Sequence, residues 1–134
     1  ILHQNTAKAF DLAKAKGVGI IVKIPLDSGW LSGRYDENST FEGVRNRWSK
    51  SEIETRARLV SRIKEIANEN VNLAQVALAF CLAYDAVSTV IPGSRNIAQL
   101  ESNLESTKKP LSDELVKKLE TFYRTEVEPL NLSW

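Results

Sequence analysis

Val87-Ser88-Thr89-Val90-Ile91-Pro92-Gly93-Ser94-Arg95-Asn96-Ile97-Ala98-Gln99 changes character twice within thirteen residues. Val87 to Ile91 is rich in β-branched residues and reads as a short strand, its alternation interrupted by Ser88 and Thr89. Pro92-Gly93 ends it. Asn96 stands where an N-cap belongs, ahead of a helix from about Ile97 to Thr107. In parallel α/β folds, ligands bind at the carboxyl ends of strands. A helix start at that edge favours an anion, through free N–H groups and the helix dipole. Gly93 permits close backbone approach, Ser94 offers a hydroxyl and Arg95 a planar fork of donors suited to phosphate. Gln99 and Asn103 are four residues apart, so both amides project from one helix face. A plain turn into a capped helix, with Arg95 in solvent and the amides on an outer face, is the alternative that the same residue types satisfy.

The earlier stretch Val18 to Ile24 is apolar throughout except for Gly19 and Lys23, the pattern of a strand buried on both faces. Pro25 ends it. From Pro25 to Trp48 no period is sustained, and three of the six glycines and two tryptophans fall there, which predicts a long structured loop. Thr6 is placed to cap a helix running to about Lys16, with Gly17 as its stop. Ser49 with Glu52 makes a capping box for a helix to about Asn68. Asn72 caps a helix from Leu73 to about Tyr84, and Ser112 opens one through about Tyr123. The tail, 126–134, has no clear period. Strands separated by helices imply parallel pairing and an α/β fold. Two strands are too few to bury both sheet faces, so their edges require partners.

Composition narrows the function classes. The net charge is +1, with Lys and Arg spread along the chain, giving no electrostatic case for nucleic acid. The longest apolar stretches are too short or too interrupted to span a bilayer. The first residues do not form a signal peptide. One cysteine, Cys81, fits a reducing compartment, hence a cytoplasmic expectation, and one cysteine with one histidine argues against a His- or Cys-based metal site. Methionine is absent and the chain opens as if in mid-element, which reads as a fragment or a trimmed chain.

The run Ile91-Pro92-Gly93-Ser94-Arg95-Asn96, followed by Gln99 and Asn103, resembles the last strand and helix of the aldo-keto reductases. Pro25-Leu26-x-x-Gly29-x-Leu31-x-Gly33 is similar to that family's loop after its seventh strand. Phe41-x-Gly43-x-Arg45-x-Arg47-Trp48, the run Leu73 to Phe80, and Leu111-Ser112-Asp113-Glu114 follow in matching order, so the resemblance extends from about Ile1 to Val127. It implies a partial (β/α)8 TIM barrel: a single partial domain, the C-terminal segment, holding the seventh and eighth strands with their helices. It also implies NADP(H) as cofactor and an aldehyde or ketone, a carbonyl small molecule, as substrate of the full-length protein. By this resemblance Arg95 pairs with the adenosine 2′-phosphate, and Gly93 and Ser94 flank it. Gln99 and Asn103 meet the adenine and its ribose. Pro25, Leu26, Ser28, Gly29 and Leu31 cover the pyrophosphate.

Two departures accompany it. Lys23 falls where many members place an aromatic residue that stacks on the nicotinamide. It is either a charge partner for a phosphate or carboxylate, or a strand-end lysine reaching solvent. The family's catalytic tyrosine, lysine, aspartate and histidine precede the region matched here, so this chain carries no catalytic residue and is expected to be inactive alone. Its expected partner is the missing N-terminal half of the barrel or another copy of itself. The rival readings are a non-catalytic half-barrel module that oligomerises and a regulatory subunit that senses NADP(H). Trp30 and Trp48 either line a substrate mouth or pack the loop down. Cys81 reads as a small core residue, and His3 as a packing or surface residue.

Overall fold

The computed structural model describes all residues except Val44, Arg45, Glu69, Ser133 and Trp134. The resemblance at Arg45 and the end of the tail at Trp134 therefore lie outside the described residues. Two strands, β1 (Ile20–Lys23) and β2 (Val87–Ile91), pair in parallel. Ile20 faces Val87, and after an irregularity Ile21 faces Thr89 and Lys23 faces Ile91. Parallel pairing needs a long crossover, here supplied by α2 (Lys50–Ala67) and α3 (Leu73–Leu82). Helix α4 (Ile97–Glu105) follows β2 directly, and α5 (Asp113–Phe122) comes after it.

Local chemistry fixes the helix starts. Ser49 Oγ accepts from the Glu52 N–H while Glu52 bonds back to the Ser49 N–H at 2.8 Å, completing the capping box. Asn72, Asn96 and Ser112 each cap their helix through a side-chain oxygen. The first helix differs from expectation. A 3-10 turn, Asn5–Ala9, runs into a short α1 (Phe10–Ala15), so Thr6 lies inside the turn and caps nothing. Gly17, at φ 65°, stops α1 as expected: Val18 N–H bonds Ala13 O at 2.9 Å and Gly17 N–H bonds Lys14 O at 3.1 Å.

The core lies among helices and loop, away from the sheet. Leu59, Ile63, Ala77 and Leu119 are fully buried, and Trp30, Leu31, Phe122 and Tyr123 pack with them. Tyr123 and Val127 belong to a π turn, Tyr123–Val127, that continues α5, and a 3-10 turn, Glu128–Leu130, follows. The Tyr123 hydroxyl donates to Asn5 Oδ1 at 2.8 Å, tying this end to the start of the chain.

Burial of β1 on both faces does not hold. Ile20 and Val22 are half-buried, whereas Ile21 is 63% exposed and Ile91 58%. The strand is also shorter than Val18–Ile24 because Ile24 turns out of the ladder at φ 56°. α4 buries no residue, and Ile97, Leu100 and Leu104 are exposed along it. Among the described residues no helix is long and apolar enough to cross a membrane.

Candidate functional site

A cleft of about 370 Å³ opens where β1 and β2 end. Eight of the ten residues expected at a site line it: Pro25, Leu26, Ser28, Gly29, Gly93, Ser94, Arg95 and Gln99. Parallel pairing in register brings the two strand ends side by side, and with them two segments far apart in sequence.

Gly29, at φ 101°, and Gly33, at φ 75°, allow the first segment to reverse twice. Its 3-10 turn, Asp27–Ser32, is kinked at Ser28 and Gly29. Gly29 N–H and Leu31 N–H both bond Leu26 O, at 2.8 and 3.2 Å. A side chain at Gly29 would meet the Tyr35 ring at 3.1 Å, so Tyr35 backs the turn. Leu31 differs from its neighbours. It is fully buried in the core and lines none of the cleft; it anchors the loop.

The second segment is tied to its own helix. Arg95 N–H donates to Gln99 Oε1 at 2.8 Å, and Gln99 N–H donates to Asn96 Oδ1 at 2.9 Å. Asn103 Nδ2 donates to Ser94 Oγ at 3.0 Å from beside the cleft. The two amides thus stand above the turn as their spacing indicated, each bonded to the turn itself. Gly93 faces open space where a Cβ would stand.

Sequence reasoning missed Ser32 and Arg34, which also line the cleft. Arg34 Nε donates to Ser32 Oγ at 3.2 Å, and Ser32 Oγ donates to Gly29 O at 2.6 Å. A cationic residue directly after Gly33 was the available signal. With Arg95 it puts two guanidinium groups on the cleft, and among the described residues no carboxylate lines it. Two permanent cations and three serine hydroxyls, with no anion among the described lining residues, suit a phosphorylated ligand. Volumes of this order hold small molecules and cofactors.

Lys23 does not line the cleft. It is exposed, on the side of β1 that carries Ile21. Trp30 and Trp48 are buried, with ring centroids 5.8 Å apart, in a cluster with Tyr35 and Phe41. They pack the loop down and are absent from the cleft. Cys81 is half-buried, and burial raises its thiol pKa. His3 is exposed. No group of three or more His, Cys, Asp or Glu able to hold a metal occurs among the described residues.

Residues 1–124 match the model of the aldo/keto reductase family. The chain is 32% identical over 112 residues to a probable voltage-gated potassium channel subunit beta of Arabidopsis thaliana, covering 78% of this chain and 34% of that protein. It is 31% identical over 112 residues to the aldo-keto reductase yakc [NADP(+)] of Schizosaccharomyces pombe, covering 79% and 33%. The holo form of the aldo-keto reductase AKR11C1 from Bacillus halodurans superposes with a TM-score of 0.65 at 28% identity, over 88% of this chain and 39% of that one. The chain thus spans between a third and two-fifths of the length of these relatives.

Proposed function

The chain belongs to the aldo/keto reductase family, and from that premise we propose that its cleft grips the adenosine and phosphate groups of NADP(H). The observation that carries this reading is the pair Arg34 and Arg95 on a cleft that no carboxylate lines among the described residues. A 2′-phosphate is the group that separates NADP(H) from NAD(H), and a permanently charged guanidinium beside a serine hydroxyl and a helix start recognises it. Arg95, with Ser94 and Gly93, fills that role. Gln99 and Asn103 hold the turn and offer their free amide atoms to the adenosine. Ser28 and Gly29, flanked by Pro25 and Leu26, face the pyrophosphate, with Arg34 as its counter-charge.

When bound, the cofactor supplies a hydride to a carbonyl carbon. This chain's residues bind and orient; carbonyl activation is assigned to other residues of a whole reductase, so the chain alone is inactive. The exposed Ile21, Ile91, Ile97 and Leu104 are then faces that the rest of a barrel covers. Cytoplasmic residence accompanies the reading. Competition tests it: adenosine 2′,5′-bisphosphate should displace NADPH from the chain, and failure to compete would remove the 2′-phosphate site.

A second reading, a regulatory subunit that senses NADP(H), is favoured by the likeness to the Arabidopsis channel subunit. Turnover of aldehydes by the whole protein separates it from the first.

A further inference from the structure

Three non-glycine residues of the turn after β1 sit in the left-handed region: Ile24 at φ 56°, Asp27 at φ 48° and Ser28 at φ 57°. For a β-branched residue such as Ile24 this is a genuine outlier, and such strain persists only where surrounding structure over-determines it. Two backbone bonds within the turn, Asp27 N–H to Ile24 O at 3.0 Å and Gly29 N–H to Leu26 O at 2.8 Å, shape it. They do not fix where the turn stands on the rest of the molecule.

Leu31 holds the far end of the loop in the core, and the Asp27 side chain anchors the turn itself. It is 6% exposed, and its Oδ2 accepts from the Leu2 N–H at 3.3 Å, with Ile1 N at 3.9 Å. Leu2 is itself buried in the core, 25 residues earlier. Burial pushes the carboxyl pKa up, against the opposing pull of the Ile1 amino group, the Leu2 N–H, His3 and Arg56. An acid in so unfavourable a place, immediately before Ser28 and Gly29, which line the cleft, calls for a function other than solubility.

We infer that Asp27 is a positioning residue: its buried carboxylate, bonded to the Leu2 N–H, clamps the strained Ile24–Gly29 turn so that Ser28 and Gly29 face the cleft. That the clamp serves a nucleotide's pyrophosphate rests on the function proposed above; the clamp itself does not. The class of ligand affected is a dinucleotide that reaches across to this turn, as opposed to one that touches only the Ser94–Arg95 side.

Amide hydrogen exchange and ligand titration on the chain test it together. In Asp27→Ala, exchange of amides 26–31 should quicken at least tenfold while that of α2 and α5 stays unchanged. NADPH should bind at least tenfold more weakly, and adenosine 2′,5′-bisphosphate within twofold of the parent. Asp27→Asn keeps an acceptor oxygen for Leu2 N–H and should recover most of both effects. Should the alanine chain fail to fold, Asp27→Ser is read in its place. Unchanged exchange in the alanine or serine chain overturns the clamp. So does quickened exchange throughout the core with equal loss of both ligands, which marks a general packing role. If neither ligand binds the parent chain, the cofactor reading fails, and exchange at 26–31 still decides Asp27.

Discussion

Asn103 Nδ2 reaches back nine residues to donate to Ser94 Oγ at 3.0 Å, so the middle of α4 holds the turn that precedes it. Ser94 and Arg95 are exposed, so this bond from α4 holds the Ser94 hydroxyl over the turn. Replacing Asn103 by Ala removes one neutral hydrogen bond, worth about 1 kcal/mol. NADPH affinity should fall about fivefold by fluorescence titration, with the melting temperature nearly unchanged.

Arg34 gives a second expectation. Its guanidinium lines the cleft from the opposite segment. Arg34→Ala should weaken NADPH and NADH alike, by roughly tenfold, because a pyrophosphate is common to both. Arg95→Ala should penalise NADPH selectively. Equal behaviour of the two variants would merge the roles separated here.

The loop and the core share Leu31. Leu31→Ala should cost about 2–5 kcal/mol of stability by urea denaturation, as for a large-to-small change at a fully buried site. NADPH binding should weaken with it, since the same turn carries Gly29.

Asp27 makes stability depend on pH in a defined sense. Its folded pKa is raised by burial above the ordinary carboxylate value. The folded state therefore holds this proton more tightly than the unfolded state. The contribution is complete below the ordinary carboxylate value and is lost as pH rises through the raised folded value. The charged groups facing it are the Ile1 amino group, His3 and Arg56, with the Cys81 thiol in its field. The exposed pairs Lys14–Asp85 and Lys118–Glu114 lower their carboxyl pKa values and run the other way. The test is thus a difference. Parent minus Asp27→Asn stability should fall as pH rises through that window, and a flat difference would contradict it.

Exposed apolar faces predict association. Ile97, Leu100 and Leu104 on α4 join Ile21 and Ile91 on the open sheet. Apolar surface of this kind and bare strand edges drive self-association. Ile97→Lys combined with Leu104→Lys should shift the chain toward monomer by light scattering.

What the sequence discloses follows from range. The caps at Ser49, Asn72, Asn96 and Ser112 are legible because a cap and its helix are adjacent. Thr6 misleads because the chain there enters through a 3-10 turn that has no side-chain cap. The burial of β1 is not legible, since an apolar run says that a face wants cover without saying whether the same chain provides it. Pro25, Ser28, Gly93 and Arg95 line the cleft, the first two expected from the resemblance and the last two also from residue types that favour a close turn and an anion. Arg34 and Asp27 escape because their placement depends on the Ser32 hydroxyl and on the Leu2 N–H. The tryptophans could be read either way until burial placed them in the loop's own core.

Calorimetric titration of the chain with NADPH, beside NADH and beside NADPH on Arg95→Ala, bears most directly on the cofactor grip. Saturable NADPH binding, weakened about tenfold or more by either change, is the expected result. An absence of NADPH binding, or binding indifferent to both changes, would contradict it.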